Sequence, residues 1–319
     1  MNTIKKIVAA VVAILLAVTI LIPFTTDLGS ESRLEVMVIS GQSNSAYRNV
    51  NLDVVNENVP LPTTNVYYYG TENAPIYYGG MPPYGQPTYD TSFSSYGIHS
   101  MVSNGAWKIG SYEPSLAQAI SKKTNCDVLI INAGISAASI DYLQPGNTGG
   151  EYVNEVISRA LALVEGNYNK IDKIGYCWMQ GETDKTTPVA DYIEKFETVN
   201  NWYHQNGFDI CYMVKTKDVN GGNACIAQMQ IAQDDPSVIM ASTAPDTFTV
   251  ANGLLDTDNL HYSQAGRIVV ANDIDGKLNL KTYISDNAVV NLITIIPIVV
   301  IAGIVIATVG AFIVYRNDP

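Results

Sequence analysis

Three clusters of polar residues in this chain of 319 residues have the types and spacing that acyl transfer needs. The first is Ser40-Gly41-Gln42-Ser43-Asn44, in which Ser43 follows an apolar run and Gly41 permits a tight turn. A serine hydroxyl becomes a useful nucleophile only when a neighbouring base removes its proton. The third cluster supplies such a base: Asp256-Thr257-Asp258-Asn259-Leu260-His261 holds one of only three histidines in the chain, so candidates for an imidazole base are few. Asp258 and His261 stand three apart, within reach of one hydrogen bond across a single turn. A carboxylate there would fix the imidazole tautomer and stabilise its charged form. Between these lies Trp178-Met179-Gln180-Gly181-Glu182-Thr183-Asp184. Gln180 can offer an amide N–H to a developing oxyanion, and Glu182 and Asp184 can brace its loop.

Each cluster also has a plainer structural meaning. A Gly-x-Ser-Asn turn is most often a helix cap, an amide with two carboxylates commonly stabilises a turn, and Asp258 with His261 suits the start of a surface helix. Glu182 and Asp184 can also be read as a glycosidase carboxylate pair or metal ligands. No second carboxyl partner and no further His cluster mark either alternative.

The elements that must position these clusters alternate along the chain. Short apolar runs at 34–40, 126–132, 171–179, 208–214 and 238–241 predict buried parallel strands, and 65–69 is a further short strand candidate. Helical patterns at 113–123, 151–165, 189–205, 224–233 and 263–278 separate or follow them. Such alternation implies right-handed βαβ units and a three-layer α/β/α sandwich around a five-stranded parallel sheet. Its ligand site should lie beyond the carboxyl ends of the strands. All three polar clusters follow strand carboxyl ends on this reading. The stretch from 49 to 110 breaks the rhythm; rich in Tyr, Pro and Gly, it reads as a long ordered excursion that either walls a cleft or covers the sheet edge.

Taken together and in order, GQSN (41–44), WMQGETD (178–184) and DNLHYSQAGR (258–267) resemble the corresponding blocks of SGNH hydrolases, specifically sialate O-acetylesterases and acetylxylan esterases. The resemblance covers roughly 34–275 and implies a flavodoxin-like esterase fold. It makes Ser43 the nucleophile, His261 the general base and then acid, and Asp258 its orienting carboxylate. Ser43, Ala137 and Gln180 are implied as the oxyanion hole, with Asn44, Glu182 and Asp184 as loop support. Gly134-Ile135-Ser136-Ala137 departs from the family pattern, since Ala137 stands where glycine is usual. The implied activity is removal of small acyl groups, O-acetyl above all, from carbohydrates through an acyl-serine intermediate, with no cofactor and no metal. A different class of function on the same fold is a catalytically silent carbohydrate-binding or adhesion domain.

Composition bounds the partners. Thirty acidic residues against 18 basic give a net charge of −12 and no basic block to follow a phosphate backbone, which excludes nucleic acid. Residues 7–24 form an uncharged apolar run after Lys5 and Lys6, predicting a signal peptide or, preferably, an uncleaved signal anchor. Residues 292–315 are uncharged and long enough to cross a bilayer, with Arg316 following. The expected organisation is therefore an anchor segment at 1–29, an esterase domain at 30–285, and a transmembrane helix with a short cytoplasmic tail at 286–319. By the positive-inside rule the domain faces the extracellular side of the cell membrane. Cys126, Cys177, Cys211 and Cys225 fit no zinc spacing; they are either buried thiols or, for Cys211 with Cys225, a disulfide.

Overall fold

A computed structural model describes residues 32–46, 66–71, 74–75, 96–101, 111–217 and 222–280. The chain divides into two units, 1–31 with 282–319 and 32–281, and the described residues all belong to the second. The apolar runs at 7–24 and 292–315 lie outside the described residues, as does most of the Tyr-rich excursion. Among the described residues, no helix is long and apolar enough to cross a membrane.

The strands are β1 (Arg33–Gly41), β2 (Val66–Thr71), β3 (Ala74–Pro75), β4 (Gly97–Ser100), β5 (Asp127–Asn132), β6 (Lys170–Met179), β7 (Cys211–Val214) and β8 (Val238–Ser242). The helices are α1 (Glu113–Thr124), α2 (Thr148–Val164), α3 (Val189–Gln205), α4 (Asn223–Asp234) and α5 (Gln264–Lys277). The strands form one sheet in the order β3-β2-β5-β1-β6-β7-β8, with β4 paired to β2. The five expected strands are β1, β5, β6, β7 and β8, all parallel and adjacent. Counted in chain order they run 2-1-3-4-5, the flavodoxin-like arrangement. The expected five-stranded sheet is nonetheless too narrow. Strand β2 extends it in parallel beside β5, and β3 and β4 pair with β2 antiparallel. β2 answers to the short strand candidate at 65–69, whereas β3 and β4, of two and four residues, are too short to stand out as strands until a neighbour supplies the hydrogen bonds.

Period-two alternation splits the core into two layers. On β1, Leu34, Val36 and Val38 face one side with Val156, Phe196 and Ile231 of α2, α3 and α4. Met37 and Ile39 face the other with Leu116, Ile120, Val270 and Ile274 of α1 and α5. β6 repeats the pattern, Tyr176 and Trp178 against Cys177 and Met179. Buried on both faces, the stretches Val36–Ile39 and Tyr176–Met179 are continuously apolar, as a covered parallel sheet requires. All four cysteines are free and buried, so the disulfide alternative for Cys211 and Cys225 is corrected: they pack as small hydrophobes.

Local chemistry sets the element ends. Pro114 occupies the first turn of α1 and Asn125 closes that helix in a left-handed conformation at φ 60°. Ser263 caps α5 by accepting a hydrogen bond from the Gly266 N–H. Strand β1 lies between β5 and β6 with their crossover α2 passing over it, so the chain reverses direction across the sheet here. The carboxyl ends of these three strands border the crevice such a reversal opens.

Candidate active site

β1 delivers Ser43 into a tight turn just past its carboxyl end. The turn closes through Ser45 and Ala46 N–H groups, both donating to the Gln42 carbonyl at 2.9 and 3.0 Å. Gly41 makes the approach possible. Its φ is +131°, and a Cβ there would sit 2.1 Å from the Met179 carbonyl oxygen. Gly134 is needed for a related reason, since a Cβ would meet Ser45 Oγ at 2.4 Å. Ser43 is left 8% exposed, sheltered yet open on one side.

The loop before α5 brings the base to it. His261 Nε2 lies 3.0 Å from Ser43 Oγ, and His261 Nδ1 lies 2.7 Å from Asp258 Oδ2. The other Asp258 oxygen accepts the backbone N–H groups of Leu260 and His261, both at 3.0 Å. The carboxylate is thus locked by its own turn. With the Nδ1 proton directed at Asp258, Nε2 keeps its lone pair for the serine proton. Residues 218 apart in the chain meet here, and the geometry is that of a nucleophile, base and orienting acid.

Asn44 couples the two loops. Its amide oxygen accepts the Tyr262 N–H at 3.0 Å, while its Nδ2 donates to Glu182 Oε1 at 2.6 Å and to the Leu260 carbonyl at 3.4 Å. Burial, and then the neighbouring Asp184, push the Glu182 carboxyl above its usual range, against the pull of the Asn44 hydrogen bond. Arg267, fully buried on α5, donates to the carbonyls of Asn44 at 3.1 Å and Ala46 at 3.3 Å, and lies over the Tyr112 ring at 5.1 Å. Tyr112 donates its hydroxyl to the same Asn44 carbonyl at 2.7 Å. Behind the turn, Asn132 Nδ2 donates to the Ser45 carbonyl and to Glu113 Oε1, each at 2.9 Å. Glu113 is pushed up to about 8 by burial, opposed by the Asn132 hydrogen bond and Arg267, so its carboxyl is largely neutral at pH 7.

The sequence reading missed Gln42, Tyr112, Glu113, Asn132, Tyr262 and Arg267 as parts of this site. One signal was available: Arg267 shares the apolar helix face of Val270, Ala271 and Ile274, and an arginine on such a face needs buried acceptors.

Gln180, expected as a side-chain donor to the oxyanion, is engaged within the protein in this structure. It is fully buried, and its Nε2 donates to Asp184 Oδ2 and to the Ala138 carbonyl at 3.1 Å, with Gln42 Oε1 at 3.4 Å. An amide has two protons, and in this structure both are engaged within the protein. Gln180 Oε1 in turn accepts the Tyr192 hydroxyl at 2.9 Å. Asp184 accepts the Ile140 N–H at 2.9 Å and the Thr187 hydroxyl at 3.0 Å. The backbone N–H groups of Ser43 and Ala137 make no hydrogen bond among the described residues. Ala137 retains a glycine-like conformation, with φ 59°, at a cost of about 1 kcal/mol relative to glycine. Among the described residues, no group of three or more His, Cys, Asp or Glu side chains is placed to hold a metal ion.

No family model matches the sequence, and no curated protein matches it. Solved structures do align. A protein from Arabidopsis thaliana superposes with a TM-score of 0.51 at 12% identity, covering 76% of this chain and 96% of its own. A carbohydrate acetylesterase from Xanthomonas citri aligns at 0.44 and 12% identity over 74% of this chain and 54% of its own. NanS aligns at 0.47 and 16% identity over 78% of this chain and 98% of its own. The likeness to the Arabidopsis protein is one of fold. The 2-1-3-4-5 strand order is the flavodoxin-like one.

Proposed function

We propose that this protein is a serine carboxylic-ester hydrolase that removes O-acetyl groups from carbohydrates. The observation that carries this reading is the unbroken chain from Asp258 through His261 to Ser43 at 2.7 and 3.0 Å. Ser43 Oγ attacks the acyl carbonyl carbon as its proton passes to His261 Nε2. The resulting oxyanion collapses, the sugar oxygen leaves, and His261 returns the proton to it. Water then gives a proton to His261 and adds to the acyl carbon. Ser43 departs from the second oxyanion with that proton, releasing the acid. By the motif resemblance the donors to each oxyanion are the backbone N–H groups of Ser43 and Ala137, neither of which makes a hydrogen bond among the described residues. The carbohydrate preference rests on the motif resemblance alone.

The test is acetate release by the detergent-solubilised full chain from 4-nitrophenyl acetate, acetylxylan and O-acetyl sialosides, beside Ser43→Ala. Turnover by the native chain and near-complete loss in the variant is the expected result. Equal turnover by both would exclude Ser43 as the nucleophile, and release no faster than background by both would leave a binding domain.

We further propose that the chain is held at the cell membrane through 7–24 and 292–315 with the hydrolase domain outside, on the strength of those two apolar runs and their flanking cations. Protease added to intact cells should then digest the domain. Protection of the domain until the cells are lysed would reverse the orientation.

A further inference from the structure

We infer that Glu113, acting through Asn132, is a positioning residue that holds the Ser43 turn from beneath, a role that rests on the esterase reading above. The Ser45 and Ala46 N–H groups close that turn on the Gln42 carbonyl. Across planar trans peptides the carbonyls of Asn44 and Ser45 therefore point the opposite way, into the protein, where each needs a donor. Tyr112 and Arg267 serve the Asn44 carbonyl, and Asn132 Nδ2 serves that of Ser45 at 2.9 Å. The remaining Nδ2 proton of Asn132 goes to Glu113 Oε1, and its Oδ1 accepts the Gly134 N–H, each at 2.9 Å. A flipped amide would set its oxygen against both the Ser45 carbonyl and the Glu113 oxygen. Glu113 thus fixes which way Asn132 faces, and Asn132 fixes the turn. Both side chains are buried, so a bond lost here is costly to leave unmade.

Glu113 does this as an uncharged group. Its Oε2 is buried with no hydrogen-bond partner among the described residues, a burden that a neutral carboxyl bears far better than an anion. Burial raises the carboxyl to about 8, against the pull of the Asn132 hydrogen bond and then of Arg267. The other titratable groups packed around Tyr112 and Arg267 among the described residues are Tyr262 ahead of α5, Cys177 of β6 and Glu182 beyond it, none of them a cation. As pH rises through about 8, Glu113 gains a negative charge whose nearest counter-charge is Arg267. That charge draws the guanidinium from the Asn44 and Ala46 carbonyls, which it now holds at 3.1 and 3.3 Å, and the turn loses its seat. Ser43 then meets the acyl carbon off line, which costs kcat and leaves ester binding nearly untouched. His261 has only to be neutral to act as a base, so it gives an acid limb and no alkaline one.

Variants of the full-length chain, with active sites titrated to completion by a fluorophosphonate, separate this role from mere packing. Glu113→Met keeps the volume and offers Asn132 no acceptor. It should lower kcat per titrated site about 30-fold, as a reacting group displaced by part of an ångström would, with KM within about three-fold. Asn132→Ala should act alike, and the two together should lose little more, because Glu113 works through Asn132. Glu113→Gln keeps an acceptor oxygen and cannot ionise. It should recover most of the native kcat at pH 7, and the fall in native kcat centred near pH 8 should vanish from its profile. Unchanged kcat per titrated site in Glu113→Met, with only a lower melting temperature, overturns the proposal. So do a native profile that is flat through pH 8, an alkaline limb that Glu113→Gln leaves in place, and losses that multiply in the double variant. Should Glu113→Met and Asn132→Ala fail to fold, the Glu113→Gln profile decides by itself. A native chain that shows no Ser43-dependent turnover at all would instead overturn the esterase reading on which this role rests.

Discussion

Replacing His261 by alanine is expected to lower kcat on an acetyl ester by on the order of 10⁵-fold while KM moves by less than about three-fold. Ser43 then has no base within reach, and the acyl intermediate has none to activate water, so both halves of the cycle fail. The Asp258→Asn effect should be smaller, about 10² to 10³-fold. Asp258 Oδ2 fixes the imidazole tautomer, and an amide nitrogen placed there would favour the wrong one. Yet the Asp258 side chain is 36% exposed against 15% for His261, so water screens its charge and can take over part of its role. Combining His261→Ala with Asp258→Asn should add almost nothing, because the carboxylate acts only through the imidazole. Single-turnover and steady-state kinetics on the full chain check these values. Losses that multiply in the double variant would mean that Asp258 acts independently of His261.

The second large effect falls on folding. Gly41→Ala is expected to destabilise the protein by more than about 4 kcal/mol and to yield little soluble domain. The added Cβ would lie 2.1 Å from the Met179 carbonyl oxygen and 2.5 Å from its carbon, both backbone atoms of the adjacent central strand. No side-chain rotation can relieve that contact, and φ +131° is itself a region alanine avoids. The strand cannot retreat either, since the Gln42 N–H bonds the Met179 carbonyl and the Gly41 carbonyl accepts the Ile135 N–H, both at 2.9 Å. Gly146→Ala is the matched control. Its φ is +85° but nothing lies within 4 Å of the new Cβ, so the cost should be only about 1 kcal/mol. Chemical denaturation of the two variants decides the matter, and equal midpoints would refute the close-approach argument.

The elements of the sheet were legible in the sequence to the extent that their own residues carried the pattern. Strand β6 was expected at 171–179 and runs from Lys170 to Met179, and α3 was expected at 189–205 and spans Val189–Gln205. Both follow from periodicities that each segment states locally. Strands β3 and β4 were not legible, because two- and four-residue segments become strands only when β2 pairs with them. The Asp258 and His261 pair could be read because three-residue spacing closes a turn. Its meeting with Ser43 depended on a sheet that aligns three strand ends.

By itself, then, the sequence determined the order of strands and helices, the polar clusters at strand carboxyl ends and the apolar terminal runs, since each is a property of neighbouring residues. The tertiary structure alone decided which way each polar side chain turned. Gln180 stands where an oxyanion donor was expected, yet Asp184 and the Ala138 carbonyl, brought in by a separate loop, take its protons. Ala137 keeps a glycine-like φ of 59°, which its own residue type does not favour. The balance among buried hydrogen bonds is struck between segments distant in the chain, and no local pattern records it.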